Sequence, residues 1–354
     1  MYDIIIIGAG PAGSTLARLA GNRHNILLLD KRQLDDEKSS ANADKCCGGL
    51  LAPDAQNTLA RMGLGVPREV IAGPQLFAVR TIDLAAGIEQ YYQRHYINLD
   101  HEKFDRWLAS LVPPSVERRF GLYFKGAVID KSGVTVRYGA KGKDYTARCR
   151  LLVGADGAHS LVRRRADPAV RPQTYIAVQQ WFRADHPLPY FSAFFDPEIT
   201  DFYGWTIPKE DGIILGAALP QRDRVNERFE LLKRKLASYG FSFAAPFKKS
   251  GSLLLRPVRL NQLSAGNGPI ALIGEAGGWI SPSSAEGISY AFRTAGALAR
   301  ALDPFPEGVQ KRYRRGLRAL TMNILLKNAK SPFMYSPLLR RLVMRSGLMS
   351  LKME

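Results

Sequence analysis

Three cysteines in 354 residues, Cys46, Cys47 and Cys149, are too few for a disulfide framework, and adjacent cysteines are poorly placed to bridge one another. A scaffold stapled in an oxidising compartment is thereby excluded, and a reducing cytosol is expected. Long apolar runs are also missing, since none approaches the roughly 18 residues that a spanning helix requires. The amino terminus carries Asp3 and opens on a strand rather than on the basic stretch of a signal peptide, so the expectation is a cytoplasmic protein, free or peripheral on the inner face of the membrane. His24, His95, His101, His159 and His186 show no metal-ligand spacing, and no metal site is expected. Acidic residues are scarce beside basic ones, 32 against 50, which leaves a formal charge of +18. Residues 311–354 hold eleven Lys or Arg against the single acid Glu354, so +10 of the +18 sits there. Within that stretch Leu338, Leu339, Leu342 and Val343 recur at helical spacing between Arg340, Arg341 and Arg345. Such a segment suits either an anionic membrane surface or a solvated helical cap whose Leu face packs on its own domain. No recognised motif accompanies the charge, and nucleic acid is not an expected partner.

What the chain does have begins at its amino terminus. The run Tyr2-Asp3-Ile4-Ile5-Ile6-Ile7 passes into Gly8-Ala9-Gly10-Pro11-Ala12-Gly13, and a second apolar run, Ile26-Leu27-Leu28-Leu29, stops on Asp30. This reads as strand, glycine turn, helix and second strand ending in a carboxylate. Gly8 permits the tight turn, Gly10 lets backbone approach a pyrophosphate, Gly13 lets helix and strand pack closely, and Asp30 is placed for a ribose hydroxyl. The helix N-terminus supplies unpaired N–H groups and partial positive charge to the phosphates.

Apolar periodicity then sets the organisation: an α/β chain with a Rossmann-like nucleotide-binding domain, an inserted antiparallel-sheet domain and a C-terminal helical segment. Residues 1–74, 100–168 and 264–305 form the discontinuous nucleotide-binding domain, residues 75–99 and 169–263 the sheet-based substrate domain, and residues 306–354 the basic helical segment. Residues 104–111, 225–239 and 284–302 are expected to be helical. Two further strands end in turns, one at Gly154-Ala155-Asp156-Gly157 and one at Gly274-Glu275-Ala276-Gly277-Gly278.

The three glycine elements, together with Pro282 and Gly287-Ile288, resemble those of FAD enzymes with the para-hydroxybenzoate hydroxylase-like fold. That resemblance implies FAD as cofactor, with Asp156 and Gly157 near its phosphates and the carboxylate after Gly274 on its ribitol. Glu275 stands where the group usually has Asp, and His101 where relatives generally carry Arg. The helix from Glu286 is implied to aim its N-terminus at the flavin, where a helix dipole stabilises the reduced anion. Pro11, Ala12, Lys31 and Val128 join the implied cofactor contacts. The segment Cys47-Gly48-Gly49 with Leu50-Leu51-Ala52-Pro53, and Tyr203-Gly204-Trp205-Thr206-Ile207-Pro208, are similar to motifs of the geranylgeranyl reductase family, closest to its bacterial CbrA-like branch. Ile207 replaces that family's usual Phe, and it agrees with the corresponding motif of flavin-dependent halogenases.

The resemblance implies an FAD-dependent oxidoreductase that reduces carbon–carbon double bonds of an isoprenoid or other lipid-like substrate by hydride transfer. Cys47, Tyr203 and Trp205 are its candidate catalytic residues, and Cys47, Gly48 and Gly49 also approach the cofactor. Cys46 and Cys149 read as structural, and Arg163, Arg164 and Arg165 as a solvated helix face whose first member helps position the Asp-Gly turn. Tyr203 and Trp205 lie two apart and share one side of a strand, as pocket wall or as ordinary aromatic core. No second glycine fingerprint marks a nicotinamide domain, so the electron donor is expected to be transiently bound NAD(P)H or a carrier protein. A monooxygenase or halogenase is the alternative chemistry. A non-catalytic flavin-bearing peripheral membrane protein is the third reading.

Overall fold

Ile4, Ile5, Ile6 and Ile7 show no polar alternation because the strand they form is buried on both faces, at the centre of a mostly parallel sheet. The computed structural model describes residues 1–35, 47–184, 189–210, 212–221 and 224–352. Cys46 and His186, and most of the polar stretch 35–44, lie outside the described residues. In chain order the elements are β1 (Tyr2–Ile7), α1 (Pro11–Ala20), β2 (Ile26–Asp30), β3 (Leu50–Leu51), α2 (Pro53–Arg61), β4 (Leu76–Asp83), β5 (Ile88–Asn98), α3 (His101–Ser110), β6 (Glu117–Phe120), β7 (Tyr123–Asp130), β8 (Gly133–Ala140) and β9 (Lys143–Gly154). They continue with α4 (Leu161–Ala166), β10 (Gln173–Phe182), β11 (Phe191–Phe195), β12 (Gly204–Lys209), β13 (Gly212–Pro220), α5 (Val225–Leu236), β14 (Lys248–Arg256), β15 (Gly266–Asn267), β16 (Ile270–Leu272), α6 (Ile288–Ala301), α7 (Val309–Gly316), α8 (Arg318–Lys330), α9 (Pro332–Tyr335), α10 (Pro337–Ser346) and β17 (Ser350–Leu351). Among the described residues no helix is long and apolar enough to cross a membrane.

The chain divides into two units. The first comprises Met1–Asp44, Glu102–Gln173 and Leu255–Lys327. Its sheet runs in the order β15-β16-β9-β1-β2-β6, parallel from β16 to β6, and β7 and β8 extend antiparallel from β9. Alternation sends Ile4 and Ile6 to one face, against Leu16 and Ala17 of α1 and Tyr290, Ala295 and Leu298 of α6. Ile5 and Ile7 go to the other face, with Val136 and Tyr138 of β8 and Val162 of α4. Each fully buried Ile contributes about 1.5–3 kcal/mol of transfer free energy. Helix α6 starts at Ile288, not 284, because Gly287 caps it and the Glu286 carboxylate accepts from the Ser289 N–H (2.7 Å) and hydroxyl (2.6 Å).

The second unit comprises Lys45–His101, Thr174–Leu254 and Asn328–Glu354. Its sheet has the order β14-β10-β13-β12-β11-β4-β5-β17, with β3 on β5 and a parallel β11–β4 pair. Phe229, Leu232 and Leu236 of α5 cover one face, over Ile82, Phe182, Phe194 and Leu215. The opposite face carries a cross-strand row of Ala193, Trp205, Gly216 and Gln179. Residues 306–354 are shared between the units, and one of their arginines is not at the surface. Arg340, 5% exposed, pairs its Nε with Asp83 Oδ2 at 2.9 Å and lies over the Phe195 ring.

Candidate functional site

The first unit brings the three glycine segments together. Parallel pairing sets Ile7 beside Gly154 and Gly154 beside Leu272, so the turns after β1, β9 and β16 leave the same carboxyl edge of the sheet. Ala155 N–H donates to the Ile7 carbonyl (2.8 Å), and Ile273 N–H to the Gly154 carbonyl (2.9 Å). Gly8 has φ +104° and sits so close to the second turn that a Cβ would lie 2.4 Å from the Ala155 carbonyl oxygen. Gly13 lies against the Gly8 carbonyl, and Gly274 packs on Ala12. Gly10 caps α1 without a side-chain hydrogen bond, Pro11 takes the first helical position, and the leading N–H groups of the helix are left for another partner.

Charged side chains brace these turns. Asp30 accepts from the Ala9 N–H (2.6 Å) and the Arg32 N–H (2.8 Å), and Arg32 bridges Asp30 (3.1 Å) to Asp105 (2.6 Å). Burial alone pulls the Arg32 guanidinium down, but Asp105 and Asp30 outweigh it and hold its pKa above the ordinary value. Lys31 is exposed, and its neighbour Arg32 takes the ion pair. Asp156 accepts from Ser160 Oγ (2.5 Å) and from the N–H groups of Leu161 (2.8 Å) and Val162 (3.2 Å), which opens α4. Burial raises its pKa, opposed by those hydrogen bonds. Glu275 Oε1 accepts from the Leu255 N–H (3.0 Å), and the Pro282 carbonyl accepts from Arg256 Nε (3.1 Å). Gly157 follows Asp156 at φ +74°, and Ile288 opens α6. Val128 lies in the β7–β8 hairpin, 54% exposed. Arg163 departs from the solvated reading: it is buried, donating to the Ala276 carbonyl (2.9 Å) and the Ala158 carbonyl (2.8 Å), so it ties the second turn to the third. Arg164 and Arg165 are exposed. Cys149 is buried on β9, and burial pushes its thiol up to about 12.

Cys47, Gly48, Gly49, His101, Tyr203 and Trp205 belong to the second unit. Gly48 lies on Ile207, where a Cβ would stand 2.1 Å from Cδ1, with Gln179 Nε2 next nearest. Gly49, at φ +65°, accepts from the Leu99 N–H (2.8 Å) and leaves no room for a Cβ against the Leu99 carbonyl. Lys209 fixes the same strand end, donating to the Leu99 carbonyl (2.9 Å) and to Asn98 Oδ1, while Asn98 Nδ2 reaches the Pro208 carbonyl (2.8 Å). Burial pushes the Lys209 ammonium down to about 8, against the pull of Cys47, Asp100 and Glu210. His101 is buried at the start of α3. The Tyr203 and Trp205 rings lie 5.4 Å apart, and the indole rests flat on Gly216. Phe195 and Phe202 extend this wall, and Tyr335 of α9 packs on both at 5.8 and 5.2 Å. Gln179 Oε1, in the same row as Trp205, is buried and has no hydrogen-bond partner among the described residues.

Residues 3–139 match the family model described as FAD dependent oxidoreductase, and residues 83–234 that described as FAD binding domain. Protein CbrA of Escherichia coli is 42% identical over 346 residues, spanning 98% of this chain and 93% of that protein, and Protein CbrA of Shigella sonnei is 41% identical over 98% and 97%. The chain belongs to the CbrA family. Three solved structures share the fold at lower identity. A geranylgeranyl bacteriochlorophyll reductase-like protein of Thermoplasma acidophilum matches with TM-score 0.78 at 17% identity, covering 97% of this chain and 90% of that one. PqsL of Pseudomonas aeruginosa, a probable FAD-dependent monooxygenase, gives 0.72 at 19% over 98% and 99%. The myxobacterial chondrochloren halogenase gives 0.67 at 16% over 90% and 79%.

This member of the CbrA family is therefore an FAD-dependent oxidoreductase with a Rossmann-like FAD-binding unit. The residues present fit that cofactor: a backbone cradle at the tip of α1, bounded by Gly8, Gly10 and Gly13 and without a side-chain cap, would hold the pyrophosphate. Asp30, already oriented by Arg32, would meet the ribose. The arginines that brace this cradle escape a linear reading. Arg32 and Arg163 meet partners 73 and 113 residues away, and no periodicity marks such pairs. Only the position of Arg163 beside the Asp-Gly turn hinted at its role.

Proposed function

We propose that the chain reduces carbon–carbon double bonds of an isoprenoid or similarly lipid-like substrate. Bound reduced FAD supplies the hydride. One observation carries the reading: the Cys47-Gly48-Gly49 loop lies on the sheet face that bears Ile207 and the Trp205–Tyr203 wall, with Lys209 at its base. An isolated alkene accepts hydride poorly, so proton donation has to lead or accompany the transfer, and water has to be kept away. Apolar and aromatic side chains serve the second need. For the first, the Cys47 thiol and a Lys209 ammonium of lowered basicity are the acids at hand. NAD(P)H or a small carrier protein would reduce the flavin. The test is anaerobic: photoreduced holoprotein is mixed with polyprenyl lipids of several chain lengths, and flavin absorbance and product saturation are followed. Reoxidation with a saturated product supports the proposal, and a flavin that stays reduced with every lipid rejects it.

Ile207 favours one other chemistry, because halogenases carry Ile at that place in the motif. A monooxygenase or halogenase would consume oxygen when substrate is added and release a hydroxylated or halogenated product, which mass spectrometry distinguishes from a saturated one.

A further inference from the structure

Helices α7 and α8 continue one another across Leu317, which keeps right-handed helical backbone (φ −84°, ψ −9°). Its N–H donates to the Tyr313 carbonyl (3.0 Å), and its carbonyl accepts from the Thr321 N–H (2.9 Å). The inward stripe is Val309, Tyr313, Leu317, Leu320 and Ile324, all buried and spaced by threes and fours. At the same spacing the outward line is Lys311, Arg315, Arg318, Met322 and Leu325, with Leu326 beside it. This line is basic in its first half and apolar in its second, where Met322 and Leu326 are 56% and 54% exposed.

The basic half is concave. Gln310, Lys311, Arg314, Arg315 and Arg318 line a depression of about 460 Å³ with no carboxylate among them. Two of these side chains are tied to the edge of the sheet: Gln310 Nε2 donates to the Ile270 carbonyl (2.5 Å) and Arg314 Nη2 to the Gly266 carbonyl (3.0 Å). Four cations crowded around one hollow repel each other, and an anion relieves that repulsion. Guanidinium forks match phosphate oxygens in particular. A soluble anion, however, makes no use of three large apolar side chains continuing along the same line, and exposed apolar patches rimmed by charge mark interaction surfaces.

We infer that the outward line of α7 and α8 seats on a bilayer containing anionic phospholipid, with a lipid phosphate in the hollow and Met322, Leu325 and Leu326 at the acyl boundary. The inference stands independently of which reaction the flavin performs. It is tested with the full FAD-loaded chain by co-sedimentation with phosphatidylcholine vesicles and with vesicles containing phosphatidylglycerol. Binding is expected only to the anionic vesicles, and it weakens as salt rises. At about 1 kcal/mol per basic residue near the surface, Arg315→Gln with Arg318→Gln lowers partitioning about 30-fold. Met322→Ser with Leu326→Ser lowers it at unchanged charge. All four positions are exposed, so retained flavin absorbance and an unchanged Tm certify folding. Equal binding to both vesicle types, or binding to neither, overturns the inference. So does capture of inorganic phosphate without vesicle binding, which would make the hollow a free-anion site. Binding that survives both pairs and is lost with Leu338→Ser and Leu342→Ser would move the contact to α10 and overturn it equally.

Discussion

The Lys209 ammonium is held by the Leu99 carbonyl and the Asn98 side chain, and burial sets its pKa at about 8, against 10.5 in the unfolded chain. Between those values the unfolded chain keeps the proton that the folded chain has released, so this group makes stability rise from about pH 8 to 10.5. Replacing Lys209 by Met removes the contribution. The Tm difference between wild type and variant, measured across that window, should therefore change with pH, and parallel curves would mean that the ammonium stays charged in the fold. Residues of this kind are where a linear reading stops. Gly8, Asp30 and Cys47 stand out because their neighbours in the chain define the motif. Lys209, Arg32 and Arg163 do not, because the carbonyls and carboxylates that give them meaning arrive from distant segments. Charge in the sequence says that a side chain is basic, and only the fold says what it touches.

At the scale of elements, the opening strand, turn and helix follow from local pattern, since unbroken Ile runs require burial on both faces and Pro11 pre-sets the first turn of α1. The start of α6 was less legible. Residues 284–287 share its composition, but Gly287 is the cap and the Glu286 carboxylate takes the Ser289 N–H, which fixes the boundary at Ile288. The basic stretch near the C-terminus divides in the same way. Its spacing shows amphipathic helices, but not that Arg340 turns inward to Asp83, which is 0% exposed and also accepts from the Ala86 N–H (3.0 Å). Arg340→Leu strands that carboxylate and should cost about 3–5 kcal/mol. Arg341 Nε, at 4.0 Å, is too distant to replace it. The double variant Arg340→Leu with Asp83→Leu removes the unpaired charge and should recover most of the loss in chemical denaturation. A double variant as unstable as the single would show that the pair contributes attraction beyond avoiding a stranded acid.

For the molecule as a whole, fold and cofactor were readable because three short glycine turns recur at strand ends in a pattern that few ligands require, whereas the substrate was not, because the aromatic residues proposed to wall it read equally as ordinary core. Binding of FAD to the folded state alone should add about 2.7 kcal/mol at a hundredfold excess over the dissociation constant. Gly8→Ala, whose Cβ would stand 2.4 Å from the Ala155 carbonyl, should abolish that gain, leaving a colourless protein whose Tm ignores added flavin. A yellow variant with wild-type response would mean that the turn can yield. The closeness of those turns also bears on synthesis. Gly274 packs on Ala12, and β16 completes the edge that β1 and β9 begin, so the third of the three turns joins the other two only after residue 277 has left the ribosome and docked beside the earliest strand. If all three turns are needed to hold the flavin, loading follows late in synthesis, and a nascent chain released before that point offers only the amino-terminal part of the cradle.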